Sequence, residues 1–140
     1  DTKQLELNGL LKQYLQDYEE VYDYRNIEVT IDEQDIFNVT MNESLAVALL
    51  TNLLKNAFVH NIDGGHIRIT VTKNSITFRN SGVENPLDKE HIFERFYQGT
   101  KKEGSTGLGL AIADSICRLQ HLSIRYYFEQ KEHCFEISRQ

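Results

Sequence analysis

The alternation of apolar and polar positions divides the chain into helical and extended stretches. From Gln4 to Tyr24, Leu7, Leu10, Leu11, Tyr14, Leu15, Tyr18, Val21 and Tyr22 recur at helical spacing opposite an acidic face, which predicts an amphipathic helix. Ile27, Val29 and Ile31 alternate with polar residues as a half-buried strand does, and Phe37, Val39 and Met41 predict a second, shorter strand. A longer helix follows to about His60, with Asn42 or Ser44 as its cap, and "IDGG" at residues 62–65 ends it. "HIRITVTK" and "ITFRN", joined by "NS", predict a hairpin with Ile67, Ile69, Val71, Ile76 and Phe78 facing inward. "SGVENP" reads as a loop, and "DKEHIFERFY" has the pattern of a short amphipathic helix capped by Asp88. "LGLAIADSICRLQH" predicts another helix, and "LSIRYYFEQ" and "CFEISRQ", turned at "KEH", a closing hairpin. Grouped, these elements predict one α+β domain over residues 1–140. It has two layers: a mixed sheet of about five strands and about three helices on one face.

Composition narrows the function. A net charge of -6, with no block of Lys and Arg, argues against a nucleic-acid partner, which needs cations to neutralise phosphates. No apolar run reaches the roughly 18 residues that a membrane span requires, so no membrane contact is expected of this segment. Cys117 and Cys134 lie far apart in apolar contexts without metal-type spacing, which predicts buried thiols in a reducing compartment. The chain begins at Asp1, which suggests a piece of something longer.

Three local departures from a plain core then point to one kind of ligand. Within "LLTNLLKNAFVHN", Asn52, Asn56 and His60 recur every fourth residue and share one face of a helix whose other faces are apolar. Buried amides need partners, and an amide oxygen is a hard ligand suited to magnesium. Asn80 follows Ile76 and Phe78 at the strand period, so it faces the interior as a polar group able to bond the edge of a heterocycle. "GSTGLGLAI" places Gly104, Gly107 and Gly109 before and at a helix start, where unpaired N–H groups can meet a phosphate. Gly109 inside a helix costs about 1 kcal/mol relative to alanine, so a compensating reason is expected. A metal-holding amide face, a base-reading strand end and a phosphate-covering glycine loop describe a nucleotide pocket.

In this order, "NLLKNAFVHN", "RNSG", "IFERFY" and "GSTGLGLAI" resemble the four nucleotide-binding boxes of the catalytic ATP-binding domain of sensor histidine kinases. That domain shares a superfamily with gyrase, the Hsp90 chaperones and the MutL repair proteins. The resemblance covers nearly the whole chain and implies the Bergerat α/β sandwich. It implies that Asn56 coordinates a magnesium ion bridging the ATP phosphates, and that His60 stacks beside the adenine. It matches Asn80 and Gly82 to the adenine box, Phe93 and Phe96 to the aromatic box, and Gly104, Thr106, Gly107, Leu108 and Gly109 to the phosphate-covering segment. Asn52 matches the position that in hydrolysing relatives is a water-activating glutamate. An amide cannot be that base, which favours a kinase over an ATPase.

The chain also departs from the family pattern. Asn80 replaces the usual aspartate and Glu84 the second glycine of that box, Gln98 replaces a common basic residue, and Val59 a common lysine. Cationic contact with phosphates is therefore expected from Arg95, Lys101 or Lys102. None of the histidines (His60, His66, His91, His121, His133) has the sequence context of a phosphoacceptor, so the receiving histidine is expected upstream. The resemblance thus implies transfer of the ATP γ-phosphoryl group to a histidine on a helical dimerisation domain of the same kinase, then to a response-regulator receiver domain. It also implies a cytoplasmic position in a parent anchored in the inner membrane. A nucleotide- or partner-binding pseudokinase module is the alternative, and Gln98–Thr106 is expected to act as a lid.

Overall fold

Helix formation begins where the leucines fall into register. The computed structural model describes residues 1–97 and 107–140. In it a short strand β1 (Lys3–Glu6) runs into α1 (Leu7–Val21), where Leu7, Leu11 and Leu15 are buried at spacing four. The remaining elements are β2 (Glu28–Glu33), β3 (Asn38–Met41), α2 (Glu43–Val59), β4 (His66–Val71), β5 (Ser75–Asn80), α3 (Gly109–Leu119), β6 (Leu122–Glu129) and β7 (Glu132–Arg139). Asn42 is the α2 cap: its Oδ1 accepts from Leu45 N–H at 3.0 Å, satisfying one of the helix's free donors.

The main sheet has five strands in the order β2-β4-β5-β7-β6. β2 runs parallel to β4, and the other neighbours are antiparallel, so the sheet is mixed as the sequence predicts. A parallel pair needs a crossover, and α2 lies in the connection that provides it. β1 and β3 form a separate antiparallel pair, with Lys3 opposite Met41. Three helices and the sheet make the two layers of an α+β sandwich. Between them lie Leu49, Leu50, Leu53, Leu54 and Phe58 of α2 against Ile67, Ile69, Ile76, Phe78, Phe135 and Ile137 of the strands. Both cysteines are buried and free.

The C-terminal end of α2 is held from α1's side. Phe58 stacks on Tyr22 with ring centroids 5.3 Å apart and on Tyr18 at 6.3 Å. Arg25 then donates to the carbonyl oxygens of Phe58 and, at 2.7 Å, of Asn61, and its Nε meets Asp63 at 2.8 Å. A cation on the terminal carbonyls of a helix satisfies acceptors that have no partner within the helix. On the outer face of the sheet, Glu132 takes a two-pronged Arg68 guanidinium (2.6 and 2.9 Å) and His66 Nε2 (2.6 Å). The Arg68 hydrogen bonds hold the Glu132 carboxyl below the usual range for a glutamate.

The elements differ from expectation at three places. Residues 3–6 pair as a strand instead of extending α1. The closing hairpin turns at Gln130 and Lys131, both at positive φ (52° and 62°), as a two-residue hairpin turn requires. Residues 88–97 form successive turns instead of a helix. Asp88 does cap the first of these, accepting from Glu90 N–H at 3.0 Å, but Phe96 lies at φ 65°, outside the helical region.

Candidate functional site

One face of α2 and the start of α3 enclose a cavity of about 180 Å³. Asn52, Lys55, Asn56, Val59 and His60 line it from α2, and residues 107–110 with Ile112 line it from the other side, with Tyr97 beside them. The i, i+3, i+4, i+7, i+8 spacing on α2 is what puts these five residues on one ridge.

The glycines at the α3 start have specific reasons. A Cβ on Gly109 would lie 3.1 Å from Asn52 Oδ1, so this glycine lets the two helices approach at the amide. Asn52 Nδ2 donates to Ala48 O at 2.7 Å, which leaves Oδ1 facing α3. Gly107 lies at φ 75°, and a Cβ there would come within 2.7 Å of Phe96 Cα. Its carbonyl accepts from Phe96 N–H at 2.6 Å. The first turn of α3 holds no acidic residue and its N-cap, Leu108, makes no side-chain cap. The N–H groups of that turn have no partner within the helix, and Gly109 and Leu110 of the turn line the cavity.

Asn80 ends β5 on the same side of the strand as Ile76 and Phe78, toward the helices. It is 2% exposed, and its Nδ2 donates to Ser81 O at 2.8 Å. Its Oδ1 has no partner, alone among the buried side-chain polar atoms of the described residues. Such an acceptor is costly unless something donates to it. Next to it, Ser81 Oγ donates to Asn61 Oδ1 at 2.6 Å and accepts from His66 N–H at 2.8 Å. Asn61 Nδ2 in turn donates to Ala57 O (3.1 Å) and His66 O (3.0 Å). This knot joins the end of α2 to β4 and β5. It requires Gly65, since a Cβ there would sit 2.2 Å from Asn61 Oδ1 and 2.3 Å from Ser81 Oγ.

The segment after Asn80 is pinned by a buried pair from the closing hairpin. His133 Nε2 lies 2.7 Å from Val83 O and its Nδ1 2.8 Å from Tyr126 Oη, while Leu87 N–H donates to that same hydroxyl oxygen at 2.9 Å. A carbonyl only accepts, so His133 carries its proton on Nε2 and accepts the Tyr126 O–H at Nδ1. Burial pushes the His133 pKa down, which keeps the ring in this neutral form. Gly82 is packed so closely that a Cβ would lie 2.9 Å from His60 O and 3.1 Å from the His133 ring.

Of the residues predicted from sequence, Asn52, Asn56, His60, Gly107, Leu108 and Gly109 lie together on the cavity wall. Asn80 and Gly82 are buried beyond that wall at the strand end. Phe93 packs edge-on against Phe135 (6.3 Å, 83°). Phe96 is exposed, with the Arg95 guanidinium 5.8 Å from its ring centroid. Lys101, Lys102, Gly104 and Thr106, and the lid expected at Gln98–Thr106, lie outside the described residues. Sequence reasoning missed Lys55, Val59, Tyr97, Leu110 and Ile112 as wall residues. Lys55 was legible, being three residues beyond Asn52 on the same helical face.

Known proteins match both the sequence and the fold. The family described as histidine kinase-, DNA gyrase B-, and HSP90-like ATPase matches residues 41–138. The heme sensor protein HssS of Staphylococcus aureus (strain Newman) is 33% identical over 127 residues, covering 87% of this chain and 28% of HssS. The sensor histidine kinase RppB of Synechocystis sp. is 43% identical over 84 residues, covering 54% of this chain and 18% of RppB. The chain therefore spans under a third of the length of either relative. The nucleotide-free catalytic domain of histidine kinase ThkA superimposes with a TM-score of 0.85 at 25% identity, covering 98% of this chain and 93% of that one. A longer ThkA chain, in complex with the response regulator protein TrrA, matches with a TM-score of 0.80 at 24% identity, over 97% of this chain and 40% of that one. The chain belongs to the histidine kinase-, DNA gyrase B-, and HSP90-like ATPase family. Its sequence and fold are those of the ATP-binding domain of a sensor histidine kinase.

Proposed function

We propose that the parent protein is a two-component kinase in which this domain binds magnesium-ATP and presents its γ-phosphoryl group to a histidine on a separate helical dimerisation domain. The carrying observation is the single cavity shared by Asn52, Asn56 and His60 of α2 and the glycine-rich start of α3. The donor set suits such a ligand. Among the described residues no carboxylate lines the cavity, so Asn56 Oδ1 would offer magnesium one neutral hard oxygen, and the metal would arrive with the phosphates and water that complete its shell. The bound pair would supply the transferable group and neutralise the charge that develops on it.

This chain's residues would bind, orient and withhold. The α3 start offers N–H donors to a phosphate tail. The unpaired Asn80 Oδ1 can accept a hydrogen bond from an exocyclic amine such as that of adenine. Asn52 has its N–H committed to Ala48 and offers only an amide oxygen, so it cannot take a proton from water. That favours delivery to the acceptor histidine over hydrolysis. Receipt of the phosphoryl group by a response regulator, and a membrane anchor in the parent, follow from the same reading. Among the described residues, no helix is long and apolar enough to cross a membrane.

Two measurements test the proposal. Calorimetric titration with a non-hydrolysable ATP analogue should show magnesium-dependent binding that Asn56→Ala weakens by tenfold or more; unchanged binding removes the metal role. Incubating the full-length parent with γ-labelled ATP should give an acid-labile, base-stable phosphohistidine. ATP binding without label would instead indicate a nucleotide-binding module.

A further inference from the structure

We infer that Lys55 contacts the phosphate tail of the bound nucleotide and distinguishes nucleoside polyphosphates from unphosphorylated nucleosides. This rests on the nucleotide reading above and assigns the site a cation. Lys55 lies one residue before Asn56 and three after Asn52, and it lines the same cavity. On an α-helix, side chains three apart are neighbours at about 5–6 Å, so Lys55 stands beside Asn52, and it shares the cavity wall with Asn56.

An exposed helix lysine is ordinarily a solvated charge, and three observations bear on this one. It is the only lysine or arginine on the cavity wall among the described residues, and no aspartate or glutamate shares that wall. Lys3, Lys12 and Lys131 are each paired with a carboxylate, of Glu43, Glu33 and Glu84 respectively. Lys55, like Lys73 and Lys89, forms no such pair among the described residues, and of these three only Lys55 lines the cavity. Across the cavity, the first turn of α3 has no acidic residue, and its N–H groups have no partner within the helix. A chain of net charge -6 thus turns a positively biased recess toward its ligand. An anion entering would meet helix N–H groups on one side and an ammonium on the other, with no carboxylate of the described residues on the wall to repel it.

Arg95 does not share this geometry: it is off the cavity wall, with its guanidinium near the Phe96 ring. Lys55 thus adds a cation to those that sequence reasoning named, of which Arg95 is off the wall and Lys101 and Lys102 lie outside the described residues. A lysine is suited to this use because its ammonium is a compact point charge on a flexible stem. It can follow a phosphate without fixing its orientation.

The test is calorimetric titration of the wild type, Lys55→Gln, Lys55→Glu and Lys55→Arg with magnesium-ATP and, separately, adenosine, at two salt concentrations. Lys55→Gln should weaken ATP binding on the order of tenfold, as loss of one charge-assisted hydrogen bond predicts. Lys55→Glu should weaken it further, Lys55→Arg should restore most of it, and adenosine affinity should stay within twofold throughout. The ATP affinity of Lys55→Gln should also depend less on salt than that of the wild type. ATP affinity unchanged in Lys55→Gln, with wild-type binding intact, overturns the inference and leaves the nucleotide site standing. Equal weakening of ATP and adenosine also overturns it, because it marks damage to the wall. A wild type that binds neither ligand overturns the nucleotide reading itself, and this inference with it. Thermal melting checks folding, and an exposed helix position should hold Tm within about 2 °C.

Discussion

Removing the Tyr126 hydroxyl tests whether the buried hairpin pair holds the segment after Asn80. In Tyr126→Phe the ring still packs on Phe135, 5.0 Å away, so little apolar burial is lost. The two bonds at the hydroxyl, 2.8 Å to His133 Nδ1 and 2.9 Å from Leu87 N–H, both go. Each hydrogen bond contributes about 0.5–1.5 kcal/mol net, and a buried partner left unsatisfied costs about 1–3 kcal/mol. Leu87 is only half-buried, so its N–H can find water and takes the lower end. His133 is 4% exposed, so Nδ1 takes the upper end. The sum is about 2–3 kcal/mol, or a fall in Tm of roughly 8–12 °C for a chain of this length. Urea denaturation followed by circular dichroism should show the same loss as a lower midpoint with an unchanged slope. Tyr127→Phe is the control: Tyr127 lies under the Arg125 guanidinium at 4.5 Å, an interaction the ring keeps without its hydroxyl. A Tyr126→Phe loss no greater than the Tyr127→Phe loss would refute the assignment of the clamp.

Three further outcomes are expected. Gly65→Ala should cost on the order of 3 kcal/mol or more by chemical denaturation, because its Cβ would sit inside the Asn61–Ser81 hydrogen bond. Gly64→Ala, at φ 74° in open space, should cost only about 1–2 kcal/mol. Burial pushes the Cys117 thiol up to about 12 and the Cys134 thiol up to about 11. In the native protein at neutral pH both should therefore react with a disulfide reagent at least 100-fold slower than after unfolding; fast native labelling of either would contradict its burial. Stability should decline as pH falls below about 6.5, because unfolded His133 binds a proton that the folded ring, with its lowered pKa, refuses. It should decline again below about 4.5 as Glu132, whose folded pKa is lowered by Arg68, takes a proton and loses that pairing. The exposed His91–Asp88 pair acts oppositely, since the His91 pKa is raised and its stabilisation is lost as pH rises. Melting curves at high salt, which screens that pair, should keep the His133 slope; a flat profile from pH 7 to 5.5 would exclude it.

The elements carried by local period were legible in the sequence. The leucine stripe of α1, the amide ridge of α2 and the β4–β5 hairpin all follow from spacing, because each buries one face against the same core. What failed was decided by distant partners. Residues 3–6 read as the start of a helix, yet they pair with β3 some 35 residues on, and only that register makes them a strand. "DKEHIFERFY" has helical spacing, but Phe96 is drawn to φ 65° by its hydrogen bond to Gly107 O, and that contact breaks the local pattern. The asparagine ridge and the glycines of the cavity were visible as oddities that a plain core does not explain. Lys55 shared that ridge by its spacing from Asn52, but its role was hidden, because a lysine between apolar residues looks like ordinary solvation until the helix facing it is in place. His133 and Tyr126 carried no signal either: each sits in an unremarkable strand, and their meaning comes from the loop they grip.

The Asn61–Ser81–His66 knot has a mechanical consequence. By fastening the end of α2 to β5, it fixes the spacing between Asn56 and Asn80, which in the proposed reading would act as the two jaws of a caliper. A molecule that engages both must have the right reach between its ring and its charged end. Truncated or lengthened analogues would grip one jaw and miss the other, so discrimination would reside in length as much as in any single contact.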